Sequence, residues 1–345
     1  MTTTMYDSLV GILSQLGVYQ ILSGFLPEIV IRIMLVLAIA GVVATVASLI
    51  LAYLTWLERK VLSDIQQRIG PMRTGPHGLL QPIADGIKLL VKEDVHPKTI
   101  DKWVFLLAPI VMFVPVVVVL AVIPFGKTLV MTDLSVGIVF LLAVSSLPTL
   151  GIIMASWAQN NKYAVLAGLR RAAEIISYEI SMVLAAIGVV LLAGTLSLPG
   201  IVEAQTGLPY IILQPLGFLI FFIGLLADLG RIPFDFQESE SELVAGYTTE
   251  YSGMKFSFFF LAEYLELFVA GGILTTLYLG GWNGPFLPSW LWFAIKTFIV
   301  IWVILWIRAT LPRVRIDQLL DIGWKWLLPL ALLNIAITGG VLAVM

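Results

Sequence analysis

The sequence contains no cysteine. That absence excludes disulfides, thiolate nucleophiles and Cys-ligated iron–sulfur clusters together. Histidine is nearly missing as well: His77 and His96 share one polar connection, so a haem held by two intramembrane histidines is excluded. Charged residues make up only 12% of the 345, and the formal net charge of -2 provides no field for nucleic acid or another polyanion. There is no G-x-G-x-x-G after a strand, no P-loop and no H-E-x-x-H. No metal site is expected. A nicotinamide, flavin or iron–sulfur centre is not expected on this chain alone, so any redox role requires a partner.

Apolar residues are what the chain has in excess. They make up 59% of it, and the mean hydropathy is +1.00. Apolar windows fall near 29–57, 103–124, 134–155, 175–194, 210–227, 254–280, 288–310 and 324–344. Each is long enough to cross a hydrocarbon core of roughly 30 Å as a helix that satisfies its own backbone. The expected fold is therefore an all-α polytopic membrane protein with eight transmembrane helices, the first long enough to tilt. No repeat or low-complexity linker divides it, so residues 1–345 are expected to form a single membrane domain. The N-terminal "MTTTMYDSLVGILSQLGVYQ" lacks the basic region of a secretory signal, and the chain is expected to be inserted intact.

Seventeen of the twenty Lys and Arg residues lie on alternate connections, 58–102, 156–174, 228–255 and 308–325. The exceptions are Lys127, Arg32 and Lys296, the last two inside spans. The positive-inside rule then places both termini away from the cytoplasm. Within the first basic connection, "GLLQPIADGIKLLVKED" carries Leu79, Leu80, Ile83, Ile87, Leu90 and Val91 at helical spacing, off-phase from Asp85, Lys88 and Lys92. Its length suits a cytoplasmic amphipathic helix in the interface plane. The preceding "RIGPMRTGPHG" is too turn-rich to continue a helix.

Two groups of residues invite chemistry. Ionisable groups inside spans are functional candidates by default. Four stand out here, Glu179, Glu263, Glu266 and Lys296, with Glu263 and Glu266 on one helical face. Plainer readings exist: Glu179 at the interface, Lys296 snorkelling. The second group is "DLGRIPFDFQESESELVAGYTTEYSG", residues 228–253, with six carboxylates (Asp228, Asp235, Glu238, Glu240, Glu242, Glu250) against one cation, Arg231. Asp235 as an N-cap with Glu238 three residues on would explain part of it as a helix start. Carboxylates this close also repel, which makes proton exchange near neutrality possible. Where the first span meets the cytoplasm, Glu58, Arg59 and Arg68 either anchor the span or line a cavity with Asp85.

The segments "WLERKVLSDIQQRIGP", "GLLQPIADGIKLLVKED", "NNKYAVLAGLRRAAEIISYE", "GRIPFDFQESESELVAGYTTEYSGMKF" and "LPRVRIDQLLDIGWKWLLPLALLN" resemble the subunit 1/H family of NADH-quinone oxidoreductase, in the same order from about residue 30 to 335. Shorter deazaflavin-dependent relatives of that complex share features with "ADLGRIPFD" and "RIDQLLDIGWK". The resemblance implies a multi-pass subunit of a proton-translocating complex in a bacterial or archaeal cell membrane. It would form a tunnel for a quinone such as ubiquinone or menaquinone, and hold no redox cofactor itself. NADH, flavin and iron–sulfur clusters would sit on partner subunits: a peripheral arm with iron–sulfur and quinone-site subunits, beside antiporter-like and small membrane subunits. Residue by residue, it implies a tunnel lining of Glu58, Arg59, Arg68, Asp85, Glu93, Arg231 and Phe234. The implied proton-coupling route is Glu179, Asp228, Glu238, Glu240, Glu242 and Glu263. Asp228 stands where the family commonly has glutamate, and Arg171 and Glu174 where it has alanine and glutamine. Two other classes remain open from the residues alone: a stand-alone ion-coupled transporter, and an anchor for a membrane hydrogenase that binds no quinone.

Overall fold

A computed structural model describes residue 14, residues 27–237 and residues 240–344, without the side chains of 32, 39, 40, 43, 44, 240 and 241. Every regular element among the described residues is helical. Helix α1 (Glu28–Ile65) leads through a 3₁₀ turn at Pro76–Gly78 into α2 (Gln81–Val91). Then follow α3 (Lys102–Leu120), α4 (Gly137–Ser145), α5 (Leu147–Ala158) and α6 (Lys162–Ala193). Three shorter helices come next, α7 (Leu198–Ala204), α8 (Tyr210–Leu213) and α9 (Pro215–Asp228). The acidic connection holds α10 (Glu240–Leu243) and a 3₁₀ turn at Gly246–Thr248, and α11 (Gly253–Tyr278) and α12 (Ser289–Thr310) follow it. Finally α13 (Ile316–Asp321) runs through a π-helical segment, Ile322–Leu327, into α14 (Leu328–Val344).

Six helical stretches among the described residues are long and apolar enough to cross a membrane: 102–120, 137–158, 162–193, 253–278, 289–310 and 316–344. The protein is a multi-pass membrane protein. The expected span 210–227 differs. Gln214 leaves helical geometry and Pro215 restarts the helix, so the apolar run splits into α8 and a 14-residue α9. Proline supplies no N–H and pushes the preceding residue out of the α region, which accounts for the break. Helix α11 is the centre of the bundle, 67% buried along its apolar window, whereas the C-terminal stretch is 22% buried and peripheral.

Helix α6 packs against α5, α9 and α14, while α11 packs against α3, α12 and α1. Small residues set the closest approach: a Cβ on Gly151 of α5 would sit 2.7 Å from the Met112 backbone nitrogen of α3. The four basic connections meet at one end of the bundle. The Asp101 N–H donates to the Ala158 carbonyl (3.0 Å), Asn161 Nδ2 to Glu250 (3.0 Å), and Lys255 pairs with Asp94 (2.7 Å). At the opposite end, Ile138 N–H bonds the Leu196 carbonyl (3.0 Å) and Asn283 the Val202 carbonyl (2.7 Å). Alternate connections thus share an end, the arrangement the cation pattern requires.

The amphipathic helix is observed as α2, and its apolar stripe faces outward: Ile83, Ile87 and Leu90 are all more than half exposed. A soluble fold would bury such a stripe, whereas a membrane interface covers it. The C-terminal end of α2 rests on the start of α11. Gly253, at φ +56°, places its α-carbon so close to the Lys92 carbonyl that a Cβ would lie 3.1 Å from that oxygen.

Candidate functional site

Two clusters of charged side chains lie in the bundle, and α11 borders the cavities of both through Glu263 and Glu266. The first is built on Glu58, near the C-terminal end of α1 and only 3% exposed. Arg231, from the connection after α9, donates to Glu58 Oε2 at 2.7 Å. Arg308, in the last turn of α12, donates to the other oxygen, Oε1. One carboxylate thus ties three remote chain segments. The Arg231 guanidinium also stands 4.9 Å from the centroid of the Tyr264 ring, a cation–π contact. Arg231, Arg308, Asp235, Gln237, Glu263 and Tyr264 border a polar cavity of about 70 Å³. Glu263 faces it from α11 and accepts a hydrogen bond from Tyr247 Oη at 2.5 Å.

The second cluster joins α6 to α9. Arg171 and Glu174, 3% and 1% exposed, form an ion pair of 3.1 Å one helical turn apart. Arg171 also donates to the carbonyls of Ala227 (2.9 Å) and Asp228, capping the end of α9 with positive charge. The Asp228 carboxylate stands 3.8 Å from the same guanidinium. Glu179, half-buried, borders a small cavity with Glu174 and Asp228. Asp228 also reaches a second cavity, of about 30 Å³, which Glu266 borders from α11. Glu266 lies in the fields of Asp228, Arg171, Glu263 and Arg231, so it stands electrically between the two clusters.

The remaining expected site residues distribute differently. Arg59 and Asp85 do pair, at 2.7 Å, but on the surface between α1 and α2, with Lys88 (3.1 Å) and Gln81 (3.1 Å) completing the ring around Asp85. Partial burial raises the Asp85 pKa, yet the Arg59 and Lys88 hydrogen bonds and the Arg59 charge outweigh it and hold the carboxyl below its ordinary value. Glu58 is not part of that group, since it turns inward. Arg68 and Glu93 are exposed, and the Glu93 carbonyl is engaged by Ser252 (3.1 Å). Phe234 is buried, its ring 5.6 Å from that of Tyr178. Glu242 is exposed and pairs with Arg170. Glu238 and the Glu240 side chain lie outside the described residues.

Two expectations are corrected. Asp235 is not a helix cap: the first helix in the described part of this connection is Glu240–Leu243, and the Asp235 carboxylate pairs with Arg313 at 3.1 Å. Lys296 does not snorkel. Its ammonium donates to the Leu279, Gly281 and Asn283 carbonyls at 2.7, 3.1 and 2.7 Å, closing the C-terminal end of α11. Sequence reasoning does not single out Arg308, Tyr247 or Tyr264. Arg308 is visible there only as one more cation of a basic connection, and nothing local marks the two tyrosines.

Comparison with known proteins agrees with this architecture. The NADH dehydrogenase family model matches residues 37–339. The H subunit of NADH-quinone oxidoreductase from Dehalococcoides mccartyi (strain CBDB1) is 53% identical over 283 residues, covering 82% of this chain and 80% of that protein. The H 1 subunit from Geobacter metallireducens is 49% identical over 324 residues, covering 91% and 97%. The H 2 subunit from Geobacter sulfurreducens is 52% identical over 300 residues, covering 84% and 91%. With matches of this extent across nearly the whole described bundle, the chain belongs to the H-subunit family of NADH-quinone oxidoreductase, the membrane subunits of complex I.

Proposed function

We propose that this chain lines the path by which a quinone reaches its reductant, and that it couples the reduction to proton movement through buried carboxylates. The observation that carries the proposal is the Glu58–Arg231–Arg308 triad, with Glu263 across a shared polar cavity. Full reduction of one quinone consumes two electrons and two protons. A site that handles it needs cations to steady developing negative charge and carboxylates to deliver protons. Both border this one cavity: Arg231 and Arg308 as cations, Glu263 as the carboxylate. NADH, flavin and iron–sulfur clusters belong on partner subunits of the peripheral arm in this reading, and antiporter-like subunits receive the proton bias.

The cavity of about 70 Å³ has room for a few waters at about 10–15 Å³ each. A quinone ring needs more, so its passage requires Arg231 and Tyr264 to swing aside, or the ring stops at the cavity's cytoplasmic mouth. Arg59 and Asp85, together with the outward apolar stripe of α2, border the approach from the bilayer. Eight crossings complete the topology: the six long stretches, the short α9 with α8, and α1. At 38 residues α1 spans roughly 57 Å at 1.5 Å per residue, so it crosses the bilayer tilted or with one end projecting. With an even number of crossings and the basic connections in the cytoplasm, both termini lie outside it.

The test is a photoreactive quinone analogue applied to the intact membrane complex. Labels that map near Glu58, Arg231 or Tyr264, and that free quinone displaces, support the reading. A complex whose quinone-displaceable label falls entirely on other subunits refutes it. That result would instead favour an anchoring role for this chain.

A further inference from the structure

The Arg171–Glu174–Asp228 cluster has an unusual balance of charge and hydrogen bonds. Arg171 stays protonated under all ordinary conditions. With both carboxylates ionised the cluster carries one uncompensated negative charge; the Asp228 side chain is one-third exposed, but Arg171 and Glu174 are almost fully buried, where an unpaired charge is strongly unfavourable. Neighbouring groups deepen the problem: Glu179 on α6, Glu266 on α11 and Asp235 after α9 all add negative potential, and Arg231 is the further cation that acts on Glu266. One added proton makes the cluster neutral.

The hydrogen bonds place that proton. Glu174 Oε2 accepts from Arg171, but Glu174 Oε1 is buried with no hydrogen-bond partner among the described residues, as is Arg171 Nε. Tyr178 does not serve Glu174, because its hydroxyl donates to the Leu319 carbonyl at 2.9 Å. Glu174, Tyr178, Glu179 and Asp228 border a cavity of about 10 Å³. About 10–15 Å³ accommodates one water, provided two to four polar groups surround it. Asp228 borders this cavity and also the one shared with Glu266, so it is the member of the cluster in reach of both.

We propose that Arg171, Glu174 and Asp228 form a one-proton store, in which the proton moves between Glu174 and Asp228 through a single water bound in the small cavity. The step conserves charge. The Glu174 carboxyl O–H breaks as its proton passes to the water, and another O–H of that water breaks as its proton passes to the Asp228 carboxylate. Glu174 ends ionised, Asp228 ends protonated, and Arg171 keeps its charge throughout. Glu179 loads the store from one side, and Glu266 unloads it on the other. This store rests on the carboxylate route proposed above, and it gives Glu174 and Arg171, which lie outside that route, a place in it.

The experiment is infrared difference spectroscopy of the intact complex, triggered by quinone reduction, with proton translocation per electron measured on the same preparations. Glu174→Gln keeps an oxygen that accepts from Arg171, and the remaining Arg171–Asp228 pair is neutral without a proton. It is expected to lose a pair of carboxyl difference bands, negative for Glu174 and positive for Asp228, and to translocate fewer protons per electron, while Glu174→Asp restores the pair and the translocation. Asp228→Asn should remove the same pair, because one proton is shared. Bands and translocation unchanged in Glu174→Gln overturn the proposal, and so does a variant that loses only one band of the pair. If Glu174→Gln fails to assemble, Asp228→Asn alone decides: an unchanged pair refutes the store. A wild-type complex with no quinone-linked translocation would sink the proposed function itself, an outcome separate from any of these.

Discussion

Replacing Glu58 tests the triad most directly, because its two arginines differ so much in burial. Arg231 is 7% exposed and Arg308 31%. Glu58→Ala leaves Arg231 charged, buried and deprived of its carboxylate, and removing one partner of a buried pair costs about 3–5 kcal/mol. Arg308 can turn to water, so its share of the loss is small. Arg308→Ala keeps the Glu58–Arg231 bond of 2.7 Å, and a half-solvated pair is worth about 1 kcal/mol or less. Arg231→Ala falls between them, because Glu58 retains Arg308. The expected order of damage is therefore Glu58→Ala, then Arg231→Ala, then Arg308→Ala.

Thermal unfolding in nanodiscs at a fixed scan rate, followed through the ten tryptophans, measures that order. A chain of this size shifts its Tm by about 2 °C per kcal/mol or somewhat less, so Glu58→Ala should fall about 5–10 °C. Glu58→Gln, which keeps an acceptor but no charge, should land between Glu58→Ala and wild type. A Glu58→Ala protein within about 2 °C of wild type, or an Arg308→Ala protein that is the least stable of the three, would refute the burial argument.

Other consequences follow from single contacts. Lys296→Met strands three carbonyls at the end of α11 and should destabilise the chain by about 1.5–3 kcal/mol, the range for hydrogen bonds from a charged donor. If Lys296 is structural, protons translocated per electron will be unaltered in the surviving complex. The Asp85 carboxyl is held below its usual pKa when α2 is docked, so its contribution to docking is full above about pH 3.8 and disappears as the pH falls below that value. Hydrogen-exchange protection across 81–91, corrected for the intrinsic rate at each pH, should fall in that acid range and stay constant between about pH 5 and 7, and a loss of protection already at about pH 6 would contradict the assignment. Glu263→Gln should lower protons translocated per electron delivered to quinone, and an unchanged ratio would remove Glu263 from the route.

How far the sequence carries depends on the range of each interaction. The interface helix is legible because Ile83, Ile87 and Leu90 repeat at a local period, and its exposed stripe is where the pattern puts it. The alternation of cations is legible too, and the basic connections do share one end of the bundle. The break at Pro215 escapes because hydropathy averages over a window and ignores the missing N–H. The Asp235 cap fails for a different reason: a tertiary partner, Arg313, takes the carboxylate that local geometry would have used. Arg308 bonds a carboxylate 250 residues earlier in the chain, and no local pattern encodes that. The Arg171–Glu174 spacing announces an ion pair, but its burial depends on the α9 terminus, whose Ala227 and Asp228 carbonyls arrive from a separate helix.

The two buried clusters need a link if charge at one is to be felt at the other, and α11 supplies it in its spacing. Glu263 borders the cavity of the Glu58 triad, and Glu266 borders the cavity that Asp228 reaches. Residues three apart on a helix stand about 5–6 Å apart at their Cβ atoms. Two unit charges at that separation interact by about 3 kcal/mol at an effective dielectric constant of about 20, a bias of roughly a hundredfold in a protonation equilibrium. A charge change beside Arg231 that alters Glu263 can therefore shift Glu266 without moving a helix. Electrostatic relay within this subunit is favoured over mechanical motion for a second reason. Helix α11 is the most buried of the six long apolar stretches among the described residues, held just past its end by Lys296 and close-packed at its start by the Gly253 contact, which opposes its movement.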